Sequence, residues 1–502
     1  MVPSIKSNLG LFTVNESARK KSIIILTIAL IATVLLTSWS KLYNYVSGNH
    51  LAVTRHQIQL DNKTINYSTS AGYMSISKAN VFYVDYIANN QSSTTRPITF
   101  VFNGGPGSAS IWLHMGSFGP VRVQFKSDKG DAPVNNNQYR DNPNSWLGFT
   151  DLIFIDPVST GYSRPHKGVD VRQFYGYKAD ISSIGEFIKL YLVQHNRQNS
   201  PKFLAGESYG SARAVGLAEY LQDNYNLEFD GITLISPALN YQLINFKKDN
   251  KTPYSYYLPS YAIAAQYHKR LSPELQQLSV EQLQAKAAAF AAGTYSKFLN
   301  SDNETKAFKS QVIDSLHYYT GLSKNYLISV NGKVPDKEFY KTLLQDEKLV
   351  IGGFDSRVTG TAEQPGDPSE INLRGLFTSA FKVYTNNDLK YHNDSAYNAT
   401  TNVGQWNNDS HTVNGYLNIS NTLKKLMIRN PNLKVNIASG YYDLATPVAT
   451  VENMVENLGL STNLHNNISM NYYQSGHMIY ICELANIKFK NDAIKFYQAA
   501  LK

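Results

Sequence analysis

Between about residues 80 and 240, short apolar runs alternate with amphipathic stretches: ITFVFNG, DLIFIDP, ADISSIGEFIKLYLVQH, KFLAGES and GITLISPAL. Runs that are apolar at nearly every position belong to strands buried on both faces, and consecutive parallel strands need a crossover, usually a helix. The rhythm therefore predicts an α/β fold. From about 241 to 430 the pattern turns helical and rich in alanine and tyrosine, as in EQLQAKAAAFAAGTYSKFL, with Asn- and Gly-rich connectors around 386–415. Strand-like runs resume at LKVNIASG and NISMNYYQSG, and an amphipathic helix closes the chain from about Leu484. The expected organisation is an α/β core in two parts, 51–240 and 431–502, with a mainly helical cap, 241–430, inserted between them. Ligands in such sheets bind beyond the carboxyl ends of the strands.

With 42% hydrophobic and 17% charged residues the chain can build a sizeable core, and disorder is excluded. A net charge of +9 spread over 502 residues is too dilute to point to nucleic acid. The single cysteine, Cys482, excludes a disulfide framework and reads as a buried, inert thiol. The 35 tyrosines read mainly as packing residues.

The first 40 residues form a unit of their own. Residues 22–39, SIIILTIALIATVLLTSW, carry no charge and would span about 27 Å as a helix, close to the hydrocarbon thickness of a bilayer. Arg19, Lys20 and Lys21 abut the run, which keeps residues 1–21 in the cytoplasm and sends the body across. The segment is expected to be a transmembrane signal anchor, leaving the catalytic body periplasmic or extracellular. Cleavage as a signal peptide, giving a secreted protein, is the alternative, although Ser38-Trp39-Ser40 is a poor cleavage site.

After the apolar run Lys202–Ala205 comes Gly206-Glu207-Ser208-Tyr209-Gly210, followed by the helix-like SARAVGLAEYLQ. This is G-x-S-x-G in a strand-turn-helix setting, which presents a serine hydroxyl on a strained turn and makes Ser208 the candidate nucleophile. Upstream, directly after ITFVF, stands Asn103-Gly104-Gly105-Pro106-Gly107, a loop whose backbone can approach a substrate. An oxyanion could be held by the amides of Tyr209 and Gly105. In an α/β-hydrolase the acid and then the histidine follow the nucleophile, each at a strand end. Asp443 follows KVNIASG and His477 follows NISMNYYQSG, whereas His268 and His317 fall in the cap, and Asp355, the rival acid, does too. Chemistry then requires His477 to take the Ser208 proton while Asp443 fixes its tautomer. No metal-spacing cluster or phosphate loop is present in the sequence, so neither a metal nor another cofactor is expected.

These residues resemble the serine carboxypeptidases, peptidase family S10, and in particular its bacterial members. The resemblance runs through NGGPGSAS (103–110), the Gly116-to-Pro120 segment, Asp156-Pro157-Val158, GESYG, LPSYA, Gly353-Phe354-Asp355-Ser356-Arg357, SGYYDLATP (439–447) and GHM (476–478). It implies an α/β-hydrolase fold, the triad Ser208, Asp443 and His477, an oxyanion hole at Gly105 and Tyr209, and binding of the substrate's terminal carboxylate by Asn103 and Glu207. Departures are Phe102 and Ser108, where many eukaryotic members have Trp and a disulfide-bonded Cys. A further one is Ser117, expected to face Glu207 where many members place a second glutamate. The expected activity is release of C-terminal residues from peptides through an acyl-enzyme. An esterase or acyltransferase on the same triad is the alternative, followed by a silent surface-binding protein.

Overall fold

The computed structural model describes residues 51–130, 139–301 and 305–502. Both the basic segment and the apolar run expected to cross a membrane lie outside these residues. Among the described residues no helix is long and apolar enough to span a bilayer.

The core is a ten-stranded sheet. Its principal strands are β1 (Ala52–Leu60), β2 (Lys63–Ser75), β3 (Ala79–Ala88), β4 (Ile98–Phe102), β5 (Asp151–Ile155), β6 (Lys202–Glu207), β7 (Gly231–Ile235), β8 (Lys434–Gly440) and β9 (Ile468–Tyr473). They lie in the order β1-β2-β3-β5-β4-β6-β7-β8-β9, and the short strand Arg164–Pro165 also pairs with β3. Pairing is antiparallel from β1 to β5 and parallel from β5 to β9.

Every residue of β4, β5 and β7 is buried. This is what near-continuous Ile, Phe, Val and Leu runs require, because a strand alternates its side chains between two covered faces. Phe100, Leu204, Ile232 and Ile437 point to one face, where they meet the helices α1 (Tyr177–Gln194) and α2 (Tyr209–Tyr225). Val101, Phe203, Ala205 and Ala438 point to the other, against the C-terminal helix α5 (Glu483–Ala500) through Phe489, Phe496 and Tyr497. The Tyr497 ring stacks on Phe203 at 4.0 Å, and its hydroxyl lies 2.6 Å from Thr99 Oγ1. Burying a side chain such as Phe489 contributes about 1.5–3 kcal/mol, so the last helix is integral to the core.

The segment expected as one cap divides by its packing. Its helices from Thr252–Tyr267 to Asp336–Thr342 form a cluster of their own around Tyr261, Leu283, Leu316 and Phe339. By contrast α3 (Ile371–Asn387) lays Phe377 and Phe381 into the core on the α5 face, and α4 (Ser420–Arg429) lays Leu423, Leu426 and Met427 on the α2 face. The periodicity of an amphipathic helix marks which face is apolar and leaves open which surface covers it.

Candidate active site

Five neighbouring strands, β4, β6, β7, β8 and β9, deliver one functional segment each from their carboxyl ends: the Asn103 loop, Ser208, Ser236, Asp443 and His477. Sequence separations of up to hundreds of residues collapse here to one edge of the sheet.

Ser208 has φ 58° and ψ −125°, a conformation that costs a non-glycine residue about 1–3 kcal/mol. Its N–H donates to Ile235 O at 2.9 Å, which ties the turn to β7. Glycines flank it because nothing else fits. A Cβ at Gly206 would stand 2.0 Å from Gly210 O, and one at Gly210 would stand 2.9 Å from Phe102 O. Gly104 is constrained by the same turn: its Cβ would lie 2.6 Å from Tyr209 N and 2.7 Å from Glu207 O. The glycine loop is thereby laid against the first amide of α2. Gly105, at φ 100°, lines the cavity beside Ser208. Gly105 and Ser208 thus line one cavity, and the glycine before Gly105 packs against the Tyr209 amide.

A buried ion pair supports the loop from below. Arg213 Nε donates to Asp180 Oδ2 at 2.8 Å, the Tyr209 hydroxyl donates to the same oxygen at 3.0 Å, and Arg213 Nη1 donates to Asn103 O. The connector after α3, read from sequence only as polar, docks on the loop's outer side. Thr401 N donates to Gly107 O at 2.7 Å, and Thr400 and Thr401 line the cavity.

Asp443 is fully buried, and its Oδ2 accepts from His477 Nδ1 at 2.7 Å. The other oxygen, Oδ1, accepts from Ala445 N at 2.7 Å and Thr446 N at 2.9 Å. Thr446 Oγ1 adds a donor to Oδ2 at 2.7 Å. His477 is clamped in turn. Its ring stacks on Phe354 at 4.8 Å, its N–H donates to Phe354 O at 2.6 Å, and its carbonyl accepts from Ser236 Oγ at 2.8 Å. Burial works against a charge on the imidazole, but the Asp443 and Glu207 carboxylates outweigh it and hold the pKa above the ordinary histidine value. Asp355 does not compete for His477: it forms a salt bridge with Arg357, Nη2 to Oδ2 at 2.6 Å.

Ser208 and His477 face a cavity of about 320 Å³ that Asn103, Glu207, Trp112 and Met478 also line. Asn103 is oriented from both ends, since its Oδ1 accepts from Leu113 N at 3.1 Å and its Nδ2 donates to Glu207 Oε1 at 2.9 Å. Burial pushes the Glu207 carboxyl up to about 7, although His477, Tyr480 and Asn103 all pull it down. Among the described residues that line the cavity, the charged side chains are Glu207 and Glu370, beside His477, with no Lys or Arg, and Glu370 is paired with Arg374 Nη2 at 3.0 Å.

One expectation is corrected. Ser117 does not face Glu207. The turn His114–Phe118 directs its hydroxyl to Asn486 Oδ1 at 2.7 Å, while its carbonyl accepts from Asn142. The neighbour of Glu207 on that side is Tyr480, whose ring lies where a Cβ on Gly116 would come within 2.4 Å of it. Sequence reasoning also passed over Thr446 and Phe354, although Thr446 follows Asp443 at the spacing of a local side-chain turn and that signal was available.

An α/β-hydrolase is the class that this sheet, turn and cavity define. A solved structure of Kex1(delta)p, a prohormone-processing carboxypeptidase from Saccharomyces cerevisiae, shares the fold with a TM-score of 0.52. It covers 86% of this chain and 91% of that one, at 14% identity. The chain belongs to the serine carboxypeptidase family, peptidase S10, whose family model matches residues 60–490. Serine carboxypeptidase-like 33 of Arabidopsis thaliana is 24% identical over 412 residues, covering 78% of this chain and 76% of that protein. A carboxypeptidase Y homolog of Arthroderma benhamiae is 27% identical over 159 residues, 31% of this chain and 29% of that protein. These relatives are plant and fungal, so they carry the family and not the bacterial branch.

Proposed function

We propose that the protein is a serine carboxypeptidase that removes C-terminal residues from peptides, with Ser208, His477 and Asp443 as its triad. One observation carries this reading: a single cavity holds the strained Ser208, the Asp443-paired His477, and the Asn103–Glu207 pair. Ser208 Oγ attacks the scissile carbonyl as His477 Nε2 takes its proton, and the amides of Gly105 and Tyr209 receive the oxyanion. His477 then protonates the departing amine, leaving an acyl-enzyme that water hydrolyses by the reverse proton route. Meanwhile Asn103 Nδ2 and a protonated Glu207 are donors suited to a terminal carboxylate, and no Lys or Arg is among the described residues that line the cavity.

The test is to incubate residues 41–502 with an N-blocked dipeptide library and identify the released end. Release of free C-terminal amino acids, abolished in Ser208→Ala, is expected. Cleavage of esters with no turnover of free-acid peptides would overturn the reading in favour of an esterase.

The same proposal covers the N-terminal segment and the branch of the family. Arg19-Lys20-Lys21 followed by an apolar run supports a membrane anchor with an extracytoplasmic body, and Ser108 with a single cysteine supports the bacterial type. Fractionation should place the full chain in membranes and residues 41–502 in the soluble fraction. A body protected from protease outside a sealed inner membrane would refute the topology.

A further inference from the structure

Two buried polar atoms, Glu207 Oε2 and the Tyr480 hydroxyl, lie close enough to influence each other without closing a well-formed hydrogen bond. Buried polar groups short of a well-formed hydrogen bond are uncommon because each forfeits hydration without full compensation, and such a donor next to such an acceptor is a pair awaiting a small adjustment. Tyr480 is completely buried in the turn Ile479–Ile481, three residues after His477. Its ring is confined by Gly116, where a Cβ would stand 2.4 and 2.6 Å from two ring carbons. Its carbonyl is pinned by Arg122 Nη2 at 2.9 Å. The ring therefore cannot swing away, and its hydroxyl acts on both Glu207 and Asn103.

We propose that Tyr480 is a positioning residue of the carboxylate subsite, its hydroxyl donating to Glu207 and holding the acid in place for the substrate's C-terminus. The proposal rests on the carboxypeptidase reading of Asn103 and Glu207. A second carboxyl in this place would share a proton with Glu207 and couple two titrations. A phenol does not. Burial and the neighbouring Glu207 carboxylate keep Tyr480 neutral far beyond the working range, so it remains a donor throughout. The other titratable groups acting on Glu207 are His477 and Asp443, with Glu370 elsewhere on the cavity wall.

The decisive experiment follows the Glu207 carboxyl C=O band by difference infrared spectroscopy during a pH titration of the substrate-free enzyme. The band is identified by its absence in Glu207→Gln. Because the phenol favours the ionised acid, Tyr480→Phe should raise the titration midpoint by about one pH unit. Incorporating 3,5-difluorotyrosine at position 480, a stronger donor, should lower it. The pH at which kcat/KM falls for free-acid peptides should move in step, and Glu207→Gln should remove that effect. A midpoint unmoved by either replacement overturns the Tyr480 assignment. The infrared titration needs no substrate, whereas failure of the parent enzyme to cleave any free-acid peptide refutes the carboxypeptidase reading by itself.

Discussion

Replacing Asp443 by asparagine tests the acid through a reversal of hydrogen-bond polarity. Ala445 N and Thr446 N both donate to Oδ1, so the amide oxygen of the introduced side chain has to take that position. Its NH2 group then falls where Oδ2 stood, 2.7 Å from His477 Nδ1. Two donors cannot face each other. The imidazole adopts the tautomer with its proton on Nε2, the nitrogen that must accept the Ser208 proton. A triad frozen in that tautomer loses about 10⁴-fold in kcat, about 5.5 kcal/mol of transition-state stabilisation. The same change removes the main partner that raises the His477 pKa, so burial prevails and the residual activity should rise at lower pH than in the parent. Steady-state kinetics on a blocked dipeptide across pH give both numbers, and a thermal melt establishes that the variant is folded. A folded Asp443→Asn enzyme within tenfold of parental kcat would refute the tautomer argument.

Ser208→Ala and His477→Ala should each abolish most turnover, and the double variant should be little worse than either, because the groups act as one unit; additive losses in kcat would separate them. Glu207, with its pKa pushed up to about 7, is neutral below that pH and ionised above it. The ratio of kcat/KM for free-acid over C-terminally amidated peptides should thus fall as pH rises through about 7, and a ratio that is flat in the parent would exclude Glu207 from carboxylate recognition. Gly104→Ala drives a methyl group into backbone atoms at 2.6–2.7 Å and should lower kcat at least 100-fold by displacing the oxyanion loop; near-parental kcat would refute that role.

Residues whose roles depend on backbone geometry were readable in advance. Gly206 and Gly210 announce a turn too tight for side chains, and Asp443 and His477 each follow a strand-like run, the first buried along nearly all its length and the second mostly half-buried. The fold was legible for the same reason: ITFVF and DLIFI have no polar face to show to water. Residues defined by direction across space were not legible. Ser117 was expected to face Glu207 because it stands where many family members place a second glutamate, yet the turn His114–Phe118 aims it at Asn486. Tyr480 looks like any other core aromatic, because nothing in the sequence says that its hydroxyl ends beside a buried acid. Helices α3 and α4 likewise carry apolar faces without a record of which layer covers them.

The stitching of the C-terminal segment into the sheet governs when this chain becomes dangerous to its surroundings. Thr99 and Tyr497 touch, and β8 and β9 complete a sheet begun hundreds of residues earlier, so closing the core means closing very long loops. Synthesis proceeds from the N-terminus, and the Ser208 turn is made well before its partners. Until the ribosome has passed residue 477 and β9 has docked on β8, the nascent chain holds the proposed nucleophile without its proposed base. On the proposed triad, competence therefore requires β8 and β9 in place as well as the Ser208 turn.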